Sequence, residues 1–253
     1  MEAVKAVAEF FFVSLAFGVG IFSVLVDTYK TGAGFIRLIS AVTGVSAVLG
    51  MAFHLSYAAS YNPQALCYYV AIVTSLLIYI FHDEEKSWQM WFLYGVKNLA
   101  LLILMFFFHN MDGTVFLFFL SSSLFLGIVS YAMILGHWYL VVPKLSEGPL
   151  KKAVAITWVI LGIKVLATAG SLIYDYDFFT EGSRLGAGYM FNWIMLTMRV
   201  GWGYLVIGIM SVFAWKLVNM RSIQSGTGML YAMTFFVLTG ELVSQYLYFN
   251  PCY

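Results

Sequence analysis

The stretch TVFLFFLSSSLFLGIVSYAMILGHWYLVV, residues 114–142, runs its whole length without one Asp, Glu, Lys or Arg. Side chains this apolar all round cannot face water, and a helix needs about 20 such residues to cross roughly 30 Å of hydrocarbon. The pattern repeats on both sides of it. Apolar runs of about 18 to 30 residues cover 4–26, 34–58, 64–82, 87–109, 114–142, 150–174, 188–219 and 226–249. They are continuous rather than alternating, which argues for helices over a membrane barrel, because an isolated span must close its own backbone hydrogen bonds. The sequence therefore predicts an all-α, polytopic membrane protein: a bundle of about eight transmembrane helices forming a single integral membrane domain over 1–253.

Composition agrees. Of 253 residues 62% are hydrophobic and 10% charged, against about 25% charged in a soluble domain. The first run reads as a helix rather than a leader, because Glu2 precedes Lys5, Glu9 enters the apolar segment and no small-residue cleavage pattern follows. If the amino terminus defines one side, that side carries Lys5 and Arg184, and the other carries Lys30, Arg37, Lys86, Lys144, Lys151, Lys152, Lys216 and Arg221. Cytoplasmic loops are the ones rich in Lys and Arg. Both termini are expected on the outer side of a bacterial or archaeal inner membrane. The longest connection, YDYDFFTEGSRLGAG at 174–188, falls on that outer side and reads as a solvated surface loop.

The near-neutral charge, with no basic groove, P-loop or dinucleotide fingerprint, excludes nucleic acid as a partner. No nucleophile elbow, zinc-protease motif or carboxylate dyad marks an autonomous enzyme. Partners are expected to be the lipid bilayer and other membrane or peripheral subunits. Cys67 and Cys252 share the outer side and form a candidate disulfide. Trp88, Trp91, Trp138 and Tyr139 fall at span edges, where amphipathic rings anchor in the interface. Glycines within spans, as in FGVG (17–20) and GWGYLVIG (201–208), point to close helix crossings.

The informative residues are the charges in the wrong solvent. Lys97, Lys164, Arg199 and Glu241 each lie roughly 12 to 21 Å from a span end at about 1.5 Å per residue, hence near the midplane. Each shares a helix face with polar neighbours: Tyr94 and Asn98 with Lys97; Thr157, Thr168 and Ser171 with Lys164; Asn192 and Gly203 with Arg199; Thr234 and Gln245 with Glu241. A charge at a helix centre costs roughly 2.5–3.5 kcal/mol on insertion scales, so these stripes are expected to converge inward. Glu241 is the expected partner of Arg199, since the two spans are joined by a short connection. The two lysines then need neutrality, a wet cavity, or an anionic or carbonyl-bearing ligand. A structural ion pair that fixes packing is the plainer account of the pair itself.

Four histidines divide by leaflet, His54 with His109 on the outer side and His82 with His137 on the inner side. Each pair is a candidate clamp for a b-type haem. The functional expectation is an integral subunit of an electron-transfer or proton-translocating complex with a quinone or proton site in the midplane. The alternatives are a secondary transporter of a small anionic or carboxylate substrate and a structural membrane anchor.

Overall fold

Helices satisfy the backbone of each span from within, and the chain uses them throughout. The computed structural model describes residues 2–26, 31–82, 88–108, 113–142, 145–174, 176–183 and 188–249. Helix α1 (Glu2–Ile21) tightens into a 3-10 turn, Phe22–Leu25, and is followed by α2 (Ala33–His54), α3 (Pro63–Phe81), α4 (Trp88–Phe107), α5 (Gly113–Val141) and α6 (Gly148–Tyr174). A short turn, Tyr176–Phe179, leads to α7, which is helical over Tyr189–Val200, widens to a π-helical segment at Gly201–Val206, and resumes over Ile207–Asn219. Helix α8 spans Ile223–Phe249. All eight spans are long and apolar enough to cross a membrane.

Local chemistry sets the boundaries. Helix α3 starts where Asn62 accepts a hydrogen bond from the Ala65 amide at 2.6 Å, with Pro63 in the first turn, where its missing N–H costs nothing. The α2 helix stops at His54, short of the end of its apolar run at 58, because the chain there turns back and brings Tyr57 over α1. Trp138 and Tyr139 are more than interfacial anchors: the Trp138 indole donates to the Thr31 carbonyl at 2.8 Å, and the Tyr139 hydroxyl donates to the Ser146 carbonyl.

Two helices are central, α1 and α5, 67% and 72% buried, whereas the other spans reach at most 44%. They cross at glycine. A Cβ on Gly18 would lie 2.7 Å from the Gly127 Cα and collide with the Ser123 carbonyl. Around this crossing the helices form two rings: α1 packs on α2, α2 on α3, α3 on α4 and α4 on α1, and in the same order α5, α6, α7 and α8 close back on α5. The rings join through α1 against α5 and α8. The end of the bundle where α1 begins is called here the near end, and the opposite one the far end.

At the far end, Glu147 binds Lys151 at 2.9 Å and Arg221 at 2.5 Å, tying the start of α6 to the turn between α7 and α8. The Lys151 hydrogen bond, with the charges of Lys151 and Arg221, holds the Glu147 carboxyl below the usual carboxylate range. A folded-state value below the unfolded one stabilises above the unfolded pKa of about 4.3 and is lost as pH falls through the folded value. Glu147→Gln is accordingly expected to lower Tm slightly at pH near 7, with the difference from wild type closing as the medium is acidified below pH of about 4. A Tm difference that persists unchanged in acid would contradict this.

Candidate functional site: an ionised cluster inside the second ring

Three helices of the second ring bring their midplane charges together. Lys164 of α6, Glu241 of α8 and Arg199 of α7 are 0%, 2% and 6% exposed. The Lys164 ammonium lies 3.4 Å from Glu241 Oε2 and donates to the Ser122 hydroxyl of α5. Arg199 donates from Nε to the Tyr204 hydroxyl and from a terminal nitrogen to Thr168 Oγ1, both at 2.8 Å, and Thr168 and Tyr204 meet at 2.7 Å. Both cations lie over the Phe118 ring, at 4.4 Å for Lys164 Nζ and 4.9 Å for Arg199 Cζ. Such a face attracts cations, and more strongly where water is excluded.

Local backbone geometry builds this arrangement. The π-helical segment begins two residues after Arg199, and Tyr204, inside it, folds its hydroxyl back onto the guanidinium. Widened turns of this kind recur at functional sites because they redirect side chains that a regular helix would line up. Gly203 in the same segment lets α8 approach: a Cβ on Gly240 would lie 2.7 Å from the Gly203 Cα. Glu241 follows directly.

The cluster carries two cations and one carboxylate, and its unsatisfied polar atoms are placed asymmetrically. Glu241 Oε2, Ser244 Oγ and both amide atoms of Gln245 are buried without a hydrogen bond. Ser244 and Gln245 stand one turn beyond Glu241, toward the near end. Toward the far end the second ring is closed by Ile160, Ile207, Leu230, Met233 and Val237, all buried. The hydroxyls there, Thr157 and Thr234, bond to carbonyls of their own helices. The unpaired atoms of α8 therefore lie on the near side of Glu241, while on α5 the buried Ser130 hydroxyl, also without a partner, lies on the far side of Ser122.

Two expectations are corrected. Glu241 pairs with Lys164, not with Arg199, because Thr168 and Tyr204 occupy the guanidinium. Nor do all three cations converge: Lys97 belongs to the first ring, where its ammonium is fully buried, packs against Gly20 of α1 and stands 5.3 Å from the Tyr94 ring centroid. The α4 stripe faces inward as expected, into the other ring.

The first ring also holds a cluster built on Glu9, two turns into α1. Glu9 is fully buried and accepts from His54 Nδ1 at 2.9 Å, from the Tyr68 hydroxyl at 2.8 Å and from the Tyr57 hydroxyl. With Nδ1–H committed to Glu9, a neutral His54 accepts from Asn62 Nδ2 at 2.9 Å; as an imidazolium it donates to Asn62 Oδ1 at 3.1 Å. Asn62 thus serves His54 in either charge state. The available signal was the spacing of a carboxylate two turns into α1 and a histidine at the end of the next span. Glu9→Leu is expected to destabilise the protein by about 3–5 kcal/mol, the usual cost of removing one partner of a buried pair, whereas Tyr57→Phe, at the exposed rim, costs far less. Thermal unfolding in detergent reads both, and equal effects would refute the assignment.

Both His54 ring nitrogens are engaged, and His109 lies outside the described residues. His82 is buried at the far end of α3, with Nδ1 3.4 Å from the Tyr94 hydroxyl and its carbonyl accepting from Arg37. His137 sits on an exposed flank of α5, its Nδ1 bonded to the Tyr231 hydroxyl at 2.6 Å. Among the described residues no group of three His, Cys, Asp or Glu is placed to hold a metal. Cys67 is half-buried on α3, and its candidate partner Cys252 lies outside the described residues. Comparison with family models, curated proteins and solved structures gives no match. The site is read from its geometry.

Proposed function

We propose that this protein is a membrane carrier that binds a small anionic or carboxylate substrate at Lys164, Arg199 and Glu241, reached from the near end. The observation that carries this reading is the excess of one buried cation over carboxylate, next to the buried Ser244 hydroxyl and Gln245 amide, which have no hydrogen-bond partner. A bound anion makes the cluster neutral, and a low-dielectric interior rewards neutrality. Midplane sites beside an interrupted helix are the expected architecture of secondary transporters, and the wide turn of α7 fits that pattern. The basic residues of the far end, Arg37, Lys151, Lys152, Lys216 and Arg221, favour placing that end in the cytoplasm of a bacterial or archaeal cell.

A second reading, a proton-translocating or quinone-linked subunit of a membrane complex, draws on the Lys164–Glu241 pair, which can exchange a proton without leaving the interior. Reconstitution separates the two. Liposomes containing the chain alone are expected to take up a small carboxylate or inorganic anion, with Arg199→Gln reducing the initial rate at least about tenfold, the equivalent of one lost charge-assisted hydrogen bond. Absence of flux across a panel of such anions, with copurifying cytochromes or quinone, would overturn the carrier in favour of the complex subunit.

A further inference from the structure

Lys97 presents a separate problem. Its ammonium is fully buried, has no hydrogen-bond partner and no carboxylate within ion-pairing distance among the described residues. The buried Asn98 Oδ1 beside it is equally unsatisfied, and both groups are directed at Gly20: a Cβ there would lie 2.8 Å from Asn98 Oδ1 and 3.4 Å from Lys97 Nζ. Glycine is needed at this position because these two side chains already fill the place a Cβ would take.

The same level of the first ring holds further unpaired groups. The Glu9–His54 contact sets the antiparallel register of α1 on α2 and so places Gly20 opposite Thr43 and Gly44; Gly44 in turn faces Ser75 of α3. Ser75 Oγ, and Ser40 Oγ one turn along α2, are both buried without a partner. On one side of this layer lie Val13, Phe17, Ala47, Ala71 and Leu101, and on the other Phe22, Ile36, Ile39 and Ile78. A layer holding one cation, two unpaired hydroxyls and an amide thus has apolar side chains on its near side, and on its far side apolar ones together with a cavity lined by Ser23, Ile36, His82 and Tyr94.

We infer that this layer is a binding site for a small monovalent anion of halide size, with Lys97 as its counter-charge and Ser40, Ser75 and the Asn98 amide nitrogen as hydrogen-bond donors. The groups match the chemistry: an ammonium and hydroxyls donate, and Asn98 donates once its amide is turned, an orientation that hydrogen bonding alone decides. Size follows from the packing, since Lys97 fills the ring up to the bare Cα of Gly20. Among the described residues, a buried cation otherwise has no charge partner in this ring at its depth. This site is independent of the Lys164 cluster.

The test is thermal unfolding of the purified full chain in detergent, in chloride, bromide or gluconate at matched ionic strength and pH. Wild type is expected to unfold several degrees higher in chloride or bromide than in gluconate, which is too large for the layer. Lys164→Met is expected to keep that difference, and Lys97→Met to abolish it while unfolding no earlier than wild type in gluconate. No difference in wild type, or an undiminished one in Lys97→Met, overturns the site. Should Lys97→Met not fold, Asn98→Leu and Ser75→Ala replace it: a reduced halide shift in either supports the site, and an unchanged shift in both overturns it.

Discussion

Leucine at Gly18 or at Gly127 is expected to leave no folded bundle. The two glycines are the crossing point of the two central helices, and no other described glycine would bring a Cβ so close to backbone on both partners. At Gly18 the new atom meets the Ser123 carbonyl and stands 2.7 Å from the Gly127 Cα; at Gly127 it meets the main chain of Gly18. Flexible side chains could swing aside, but main chain buried in the middle of two spans cannot. Overpacking a core typically costs about 1–3 kcal/mol, and this crossing exceeds that because the rings join largely here. Even Gly18→Ala is expected to fail, whereas Gly95→Ala, where nothing lies within 4 Å, is neutral. Size-exclusion profiles in mild detergent read the result. A monodisperse peak for Gly18→Leu at wild-type yield would remove the crossing from the account of stability.

The second large effect belongs to Glu241. Glu241→Leu leaves Lys164 and Arg199 as two buried cations over one aromatic ring with no anion, and is expected to cost about 3–5 kcal/mol. The double variant Lys164→Met, Glu241→Leu removes both partners and is expected to recover most of the lost stability, because an apolar pair of similar volume often matches a buried ion pair. Neither variant is expected to carry flux. That combination, stability regained without activity, marks the pair as functional machinery. If the double variant is as unstable as the single one, the 3.4 Å Lys164–Glu241 contact is not what balances Glu241. If it transports normally, the proposed site is wrong.

What the sequence made legible follows from which forces act within one helix. Span positions depend on local apolar content, so all eight could be read from composition, within a few residues at the ends. Burial of the charged stripes was equally readable, since lipid rejects each charge singly. Partners were not, because pairing depends on how helices are arranged around each other. Lys97 and Lys164 look alike in sequence, yet they stand in different rings because α1 and α5 cross at Gly18 and Gly127. Arg199 was assigned to Glu241 by chain proximity; the widened turn of α7, which brings Tyr204 onto the guanidinium, leaves little trace beyond two glycines. Glu9 was read only as a charge entering the first span. Only the fold-back after His54 shows why a carboxylate near the end of a span is shielded from water by two tyrosines.

The wide turn in α7 also has a bearing on how this helix tolerates change. A π-helical segment amounts to one residue more than the regular spiral requires, and each residue turns the spiral by about 100°. Excising Gly201 would therefore set Arg199 and Ile207 seven residues apart, close to two whole turns of a regular helix, so Asn192, Leu196 and Arg199 would keep the azimuth of Ile207, Ser211, Ala214 and Val218, with which they now face inward. A single-residue deletion at the wide turn is thus absorbed with both halves in phase, whereas the same deletion elsewhere in the helix would dephase them, so tolerance of length along α7 is concentrated in this one segment.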